Sequence, residues 1–173
     1  MSRSVEDIEA LANSGADMTL DSTDRAILRA LLEDSRASQR ELSRIVGVAQ
    51  GTITNRLKKL ESQNIIQGYS VVLDPESVGW SMTIMAGLRI AKGKMINVQQ
   101  KIAADPRVFS VYDVTGDWDS MVLARVRDRA DLDDLTKTVF TLEGVTRSFT
   151  HVVLNTVKED GFAKPAPDKN KEE

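Results

Sequence analysis

Residues 38–60, SQRELSRIVGVAQGTITNRLKKL, contain two short helical patterns with a glycine between them, and no other stretch restricts the fold as strongly. Ser38 and Glu41 have the S-x-x-E spacing of a capping box, in which each side chain accepts a hydrogen bond from a backbone N–H at the helix start. Apolar residues then recur at helical spacing: Leu42, Ile45 and Val46. Gly47 stands where the end of a helix favours a positive φ. The sequence therefore predicts a helix-turn-helix.

The second helix of this pair has one apolar and one polar face. Its apolar stripe lies at positions i, i+4 and i+7: Ile53, Leu57 and Leu60. A helix in the DNA major groove needs short polar side chains to reach base edges and cations to reach phosphates. We predict base contacts by Gln50, Thr52 and Asn55. The full set of predicted DNA-binding residues is Arg44, Gln50, Gly51, Thr52, Thr54, Asn55, Arg56, Lys58 and Lys59. The alternative is an ordinary helical hairpin with a solvated face.

Charge is unevenly distributed along the chain. The formal net charge is −3 at pH 7, which by itself argues against DNA binding. Residues 19–68, however, carry eight basic and six acidic side chains, a net charge of +2, whereas residues 1–18 carry −3. A weakly basic segment contributes modest electrostatic attraction per subunit. We therefore expect the protein to engage double-stranded DNA as a dimer or larger homo-oligomer.

Composition excludes several kinds of site. The chain has no cysteine, which excludes disulfides, thiolate metal sites and cysteine nucleophiles. One histidine, His151, excludes a conventional multi-histidine metal site, and no metal or cofactor is expected. No apolar run is long enough to span a bilayer, and the acidic N-terminus is unlike a signal peptide. We expect a cytoplasmic, nucleoid-associated protein that does not bind membranes.

The segments flanking the pair complete a first domain. A helix is predicted to begin at Asp21, with Asp24 in its first turn and a broad apolar face: Ile27, Leu28, Leu31 and Leu32. After the second helix of the pair, the β-prone Tyr69–Leu73 predicts a short wing or connecting strand, closed by Asp74 and Pro75. The predicted boundaries are 19–66 for the helix-turn-helix domain and 67–79 for the connecting strand and linker.

The two ends of the chain lack the pattern of a folded domain. Residues 1–18 form an acidic N-terminal extension, which is either frayed or an arm that packs on another subunit. Residues 158–173 include GFAKPAPDKNKEE, a segment rich in proline and charge with little to bury. We expect this tail to be disordered.

β-prone and helical segments alternate in the second half of the chain. In order, they are a strand at 82–90, a helix at 95–104, strands at 108–115 and 120–126, a helix at 130–140 and a strand at 145–157. The order βαββαβ is typical of a ferredoxin-like fold, in which two helices cover one face of an antiparallel sheet. The predicted class is therefore α+β. Apolar residues along the strands indicate that another subunit covers the other face of the sheet.

The first domain resembles the N-terminal domain of the Lrp/AsnC family, the leucine-responsive or feast/famine regulators. Four motifs occur in family order: L-D-x-x-D-x-x-I-L at 20–28, R-x-S-x-x-E-L at 36–42, T-[VI]-x-x-R-[IL]-x-x-L-E at 52–61 and I-x-G-Y at 66–69. The family commonly caps the recognition helix with Ser or Thr, where this chain has Ala49 followed by Gly51. Losing the cap costs on the order of 1 kcal/mol and the glycine roughly as much again. We expect a loose helix start until DNA binds, with Gly51 also allowing close approach of the backbone.

The resemblance extends to the second domain, assigned to residues 80–157. In the Lrp/AsnC family this region is the RAM domain, which mediates assembly into dimers, tetramers or octamers. Gly116, Asp117, Trp118 and Asp119 are similar to the family's G-D-[YWF]-D loop, where dimers meet and an effector, typically an amino acid, binds. Carboxylates suit an ammonium group, and the N–H groups of a glycine turn suit a carboxylate. The alternative is a hairpin whose glycine and aspartates only form the turn.

Three other features have simpler explanations than a functional site. Asp131, Asp133 and Asp134 suggest a metal cluster, but they stand at a helix start, where acids complement the helix dipole. His151 alternates with its strand neighbours and is expected to be a sheet or interface residue. Trp80 is expected to contribute packing.

Together these features predict a sequence-specific transcription regulator of the Lrp/AsnC type that responds to an amino acid or related effector and is not an enzyme. Two alternatives remain. An architectural protein that coats DNA without an effector response would share both domains. The sirohaem decarboxylases also resemble this family in both domains. A tetracarboxylate macrocycle would, however, call for cationic or histidine clusters, and this chain has one histidine and scattered arginines.

Overall fold

The computed structural model describes residues 20–159. The predicted N-terminal extension and residues 160–173 of the predicted tail lie outside this range. The chain divides into two compact units, with the division between Ser70 and Val71.

Three helices form the first unit: α1 (Ser22–Glu33), α2 (Gln39–Val46) and α3 (Gln50–Ser62). The predicted capping box of α2 is confirmed, because the Ser38 hydroxyl accepts the Glu41 N–H and the Glu41 carboxylate accepts the Ser38 N–H. Asp21 and Asp24 form a second capping box at the start of α1. Gly47 ends α2 with φ of +78°, the left-handed conformation that the turn requires.

The core of the first unit consists of one stripe from each helix: Ile27, Ala30, Leu42, Ile53, Leu57 and Leu60. The predicted stripe of α3 is confirmed. The predicted apolar face of α2 is too wide, because Ile45 is 61% exposed. Leu42 and Val46 are one turn apart and face the core, which directs Ile45 to the side of the helix.

The connection between the units contains no strand. Residues 63–81 have no regular secondary structure apart from turns, so the prediction of a strand at Tyr69–Leu73 is wrong. A strand needs a neighbour for its backbone N–H and C=O groups, and no described segment pairs with this one. Val71 and Val72 are 82% and 91% exposed. The predicted turn after Asp74 is present, and the Asp74 carboxylate accepts the Ser77 N–H at 3.0 Å.

The second unit has the predicted order βαββαβ. Its elements are β1 (Met82–Ile90), α4 (Met95–Ala103), β2 (Val108–Asp113), β3 (Ser120–Val126), α5 (Arg129–Thr138) and β4 (Val145–Val152). The sheet is antiparallel with strand order β2-β3-β1-β4. The predicted last strand ran to residue 157, but β4 ends at Val152. Its partner β1 begins at Met82, so the residues after Val153 have no strand beside them.

One face of the sheet packs against the helices. Alternate residues of the two central strands supply the buried side chains: Ile84, Ala86, Leu88, Val122, Ala124 and Val126. Helical residues complete this core, among them Val98, Ile102 and Leu135. The other face, here called the open face, is apolar, and no helix or strand among residues 20–159 covers it: Met85, Phe109, Tyr112, Met121, Leu123 and Phe149. Within residues 20–159, no helix is long and apolar enough to cross a membrane.

Candidate DNA-reading helix and effector loop

Helix α3 starts without a side-chain cap. Ala49 occupies the N-cap position in an extended conformation, and within the described part of the chain no side chain forms a cap hydrogen bond there. The earliest helical hydrogen bonds join the N–H groups of Thr52 and Ile53 to the Ala49 carbonyl, at 2.9 and 3.2 Å. Gly51 lies in this first turn, and a Cβ added there would meet nothing within 4 Å. The uncapped start inferred from the sequence is therefore present.

The exposed face of α3 lies opposite its buried stripe. Most of the predicted DNA-binding residues are exposed: Arg44, Gln50, Gly51, Asn55, Lys58 and Lys59. Gly51 and Asn55 are one turn apart near the middle of this face, with Lys58 following. Along one side of the helix, this arrangement exposes the backbone at Gly51, the amide of Asn55 and the ammonium group of Lys58.

Three predicted DNA-binding residues are partly buried: Thr52, Thr54 and Arg56. The Thr54 hydroxyl contacts the Gln39 side chain at 2.6 Å and the Gln50 carbonyl at 3.1 Å. This contact ties α3 to the start of α2. A hydroxyl already bonded within the domain is less available to a base edge, and its DNA contact stays a prediction.

Arg56 joins α3 to the start of α1. Its guanidinium pairs with Asp21 and, at 3.2 Å, with Asp24, whose side chain is 1% exposed. The hydrogen bond to Asp21 raises the pKa of Arg56. The pKa of the Asp21 carboxyl lies below its ordinary value, first because it accepts the Asp24 N–H and then because Arg56 is beside it. Arg56 thus orients α3 within its own domain, a role that helical periodicity could not indicate because its partners lie more than 30 residues away.

The loop between β2 and β3 contains the predicted effector-binding residues. Gly116 adopts φ of +109°, and Gly116 and Asp117 are exposed. Asp119 fixes the end of the loop to β1: its carboxylate accepts the Ile90 N–H at 2.8 Å and an Arg89 guanidinium N–H at 3.3 Å. Its backbone N–H donates to the Leu88 carbonyl at 2.9 Å. Asp119 therefore shapes the loop, whereas Asp117 presents a carboxylate to solvent.

Trp118 lies flat on the sheet beside this loop. Its ring covers Gly87 so closely that a Cβ at that position would lie 2.6 Å from the ring. The Phe149 ring is stacked with it at a centroid distance of 6.2 Å, and the Arg147 guanidinium lies 5.4 Å from its centroid. Sequence reasoning missed Gly87, Arg147 and Phe149, because strand pairing alone brings them to the loop.

The acidic residues around α5 belong to a network of ion pairs. Asp131 is buried and accepts hydrogen bonds from Arg127 and Arg107, both at 3.0 Å. The pKa of the Asp131 carboxyl lies well below its usual range, mainly because the Arg127 guanidinium donates a hydrogen bond to it. Arg107 also pairs with Asp105 at 2.8 Å and with Asp134 at 2.7 Å. Among residues 20–159, no group of three acidic or histidine side chains is arranged to hold a metal ion.

The two remaining residues singled out in the sequence lie in the second unit. His151 is exposed on β4, and its ring contacts Phe149 at a centroid distance of 4.7 Å. Trp80 is half-buried and lines a cavity of about 650 Å³ beside the ion-pair network. Both have neighbours consistent with packing.

Comparison with known proteins identifies both units. Residues 83–161 match the family described as Lrp/AsnC ligand binding domain, and residues 20–67 match winged helix-turn-helix DNA-binding. An uncharacterized HTH-type transcriptional regulator of Pyrococcus horikoshii is 45% identical over 148 residues, which cover 86% of this chain and 100% of that protein. This chain belongs to the Lrp/AsnC family. The resemblance seen in the sequence is therefore confirmed.

Two similar solved structures contain L-methionine. One is a transcriptional regulator of Neisseria meningitidis in complex with L-Met, with a TM-score of 0.77 and 29% identity over 83% of this chain and 95% of that chain. The other is a feast or famine regulatory protein of M. tuberculosis complexed with L-methionine, with a TM-score of 0.78 and 29% identity over 85% and 100%.

Membership of the Lrp/AsnC family settles the class of function. The chain is a DNA-binding transcription regulator with a ligand-binding domain, and it is not an enzyme. Neither the matched family descriptions nor the similar regulator of Pyrococcus horikoshii names a decarboxylase, so the comparisons give no support to that alternative.

Proposed function

We propose that this Lrp/AsnC regulator binds specific DNA sites as an oligomer and changes its DNA binding in response to an amino acid. The observation that carries the proposal is that the same chain has two exposed surfaces: the polar face of α3 and the loop at Gly116–Asp119. The first has the chemistry to contact DNA, and the second has the chemistry to contact a small zwitterion.

For DNA recognition, we assign base contact to Asn55 and phosphate contact to Lys58. An exposed amide in the middle of a reading helix can form two hydrogen bonds with adenine, whereas an ammonium acts on phosphate as a point charge. Arg56 is less available to a phosphate, because Asp21 and Asp24 already pair with it. Binding sites selected from random DNA would supply the specific duplex for testing both assignments.

The DNA experiment compares three variants by fluorescence anisotropy on specific and scrambled duplexes. Asn55→Ala is expected to reduce discrimination by about 1–3 kcal/mol per contacted base pair. Lys58→Ala should weaken both duplexes equally and reduce the salt slope by about 1. Lys101→Ala in α4 is the charge-matched control. Equal loss on both duplexes with Asn55→Ala would refute its assignment to a base.

For assembly, we infer that the open face meets the open face of a second copy. Its apolar side chains occupy strands whose other face is already covered by helices, and an apolar patch of this kind marks an association surface. A second copy also supplies a second reading helix, which compensates for the weak positive charge of one helix-turn-helix unit. We expect further assembly of dimers into tetramers or octamers.

Sedimentation or light scattering tests this interface. Met85→Glu places a charge at the centre of the open face and is expected to reduce the mass toward that of the monomer. Ile96→Glu is the matched control, because Ile96 is an exposed apolar residue on α4, in the layer that covers the opposite face. An unchanged mass for Met85→Glu would locate the contact between copies elsewhere.

For the effector, we propose an amino acid bound at the loop. Two relatives bind L-methionine, and the loop of this chain offers an exposed carboxylate at Asp117 beside the half-buried indole of Trp118. A carboxylate suits the ammonium group of an amino acid, and an aromatic wall suits an apolar side chain.

A thermal-shift panel of the common amino acids tests the effector response. A ligand at about one hundred times its Kd should stabilise the protein by roughly 2.7 kcal/mol. Asp117→Ala should abolish the shift, and Glu76→Ala is the charge-matched control. Asp119→Ala is a poor choice, because it would also release the loop from β1. If no amino acid shifts the melting temperature and DNA binding does not depend on sequence, the architectural alternative would be supported.

Because its partner is genomic DNA, we place the protein in the cytoplasm, associated with the nucleoid. Localisation of a fluorescent fusion with and without Lys58→Ala tests this, since loss of phosphate contact should spread the signal beyond the DNA.

A further inference from the structure

Arg147 is an exposed cation beside the proposed effector loop. It lies on β4, and its guanidinium carbon is 5.4 Å from the centroid of the Trp118 ring. Most of the other arginines of this unit form ion pairs with acidic side chains, including Arg89, Arg107, Arg125 and Arg127. Within residues 20–159, no carboxylate forms an ion pair with Arg147.

A second arginine stands directly beside it. Arg89 of β1 and Arg147 of β4 are paired across the strands, and side chains opposite one another in an antiparallel pair lie on the same face. Like charges in this arrangement repel each other. Asp119 pairs with Arg89, so this carboxylate is already engaged. Arg147 is therefore left without a carboxylate partner among the described residues.

The aromatic surface under Arg147 is fixed in place. Gly87 allows the Trp118 ring to lie directly on β1, and Phe149 stacks against the same ring. Asp119 then holds the end of the loop through the Ile90 N–H. A guanidinium above an indole keeps its N–H groups in a planar fork, which matches the two oxygens of a carboxylate.

We propose that Arg147 binds the carboxylate of the effector and thereby selects its class: an amino acid with a free carboxylate and an apolar side chain that contacts Trp118. This inference rests on the proposed effector response. It adds a specificity-determining residue from β4, outside the G-D-W-D loop that the sequence indicated.

The experiment compares free acids with their amides, which lack the negative charge. The probes are L-methionine, L-methioninamide, L-leucine and L-leucinamide. Binding is measured by calorimetry and by fluorescence in a Trp80→Phe background, where Trp118 is the one remaining tryptophan of the chain. The variants are Arg147→Gln, Arg147→Lys and the control Arg129→Gln, which removes an exposed arginine at the start of α5.

We expect the wild-type protein and Arg129→Gln to prefer an acid over its amide by at least about tenfold, which corresponds to about 1.4 kcal/mol. Arg147→Gln should lose this preference while its affinity for the amide is unchanged, and Arg147→Lys should recover part of it. DNA binding without effector checks that each variant is folded.

Three results would overturn the proposal in different ways. If the wild-type protein prefers the acid and Arg147→Gln keeps that preference, the effector response stands and the role of Arg147 falls. If Arg147→Gln changes the oligomer mass and leaves the preference intact, Arg147 contacts another subunit instead. If the wild-type protein binds none of the four probes, the proposed class of effector and the role of Arg147 fall together.

Discussion

The uncapped start of α3 makes a sharp prediction for Gly51→Ala. Gly51 lies in the first turn without a positive φ, and an added Cβ meets no atom within 4 Å. The substitution therefore introduces neither strain nor a clash. Alanine is favoured over glycine inside a helix by about 0.8–1 kcal/mol, which is an upper limit for the first turn. We expect the free energy of unfolding of the helix-turn-helix unit to rise by about 0.5–1 kcal/mol.

Amide hydrogen exchange locates this effect. The N–H groups of Thr52 and Ile53 make the first hydrogen bonds of α3, so they exchange whenever the start of the helix opens. A gain of about 1 kcal/mol slows their exchange by roughly fivefold. The amides of Leu57 and Leu60, in the buried middle of the helix, are the internal reference. Ala49→Ser, which restores a side-chain cap, should slow the same two amides by a similar factor.

DNA affinity separates the two expected roles of Gly51. If its backbone approaches DNA closely, the added methyl group opposes binding, and overpacking of about 1–3 kcal/mol lowers the affinity by roughly fivefold or more. If helix order alone limits binding, the same substitution raises the affinity. Unchanged exchange at Thr52 and Ile53 would refute the argument for a loose start. Tighter DNA binding by Gly51→Ala would refute the argument for close approach.

Three further substitutions test contacts that lie within one or the other unit. Asp24→Ala leaves Arg56 with Asp21 alone and should lower the free energy of unfolding in urea by about 1–3 kcal/mol. The lowered pKa of Asp131 contributes stability above about pH 4, and this stability is lost as the pH falls, because the unfolded state binds the proton first. In an acid titration, the free energy of unfolding of Asp131→Asn should therefore fall less steeply with decreasing pH than that of the wild-type protein. Gly87→Ala should displace the indole that covers it, seen as a shift in tryptophan emission in the Trp80→Phe background.

Each of these expectations has a result that contradicts it. Wild-type stability in Asp24→Ala would mean that Arg56 gains nothing from the buried carboxylate. The same slope of stability against pH in wild type and Asp131→Asn would exclude Asp131 as the source of acid sensitivity. An unchanged emission maximum in Gly87→Ala would mean that the close approach of the ring to β1 does not fix its environment.

Local signals in the sequence predicted the elements of both units. The capping box at Ser38 and the glycine turn at Gly47 involve contacts between residues only a few positions apart. The sequence pattern is therefore enough to predict the local structure. The alternation in the second half likewise predicted the strand order along the chain. The failures have a different cause. Tyr69–Leu73 has β propensity but no described neighbour to pair with, and β4 ends where β1 ceases to accompany it.

The candidate sites were only half predictable because their remaining parts come from distant residues. Spacing on α3 identified Arg56 as a cation but could not show that Asp21 and Asp24 pair with it. Similarly, the acids of α5 were expected to complement a helix dipole. Arg107, which precedes them by more than 20 residues, also pairs with Asp131 and Asp134.

The proposed effector loop shows most clearly how tertiary contacts change which residues of a motif are available to a ligand. Four consecutive residues suggested two carboxylates for a ligand, but strand β1 occupies one of them, since Asp119 bonds to Ile90 and Arg89. The same pairing leaves Arg147, its cross-strand neighbour, without an acidic partner among the described residues. Asp119 therefore influences the proposed site indirectly: it neutralises one arginine and leaves the other to attract a carboxylate. The ligand chemistry that we propose for this loop therefore depends on β1 and β4 as well as on the motif itself.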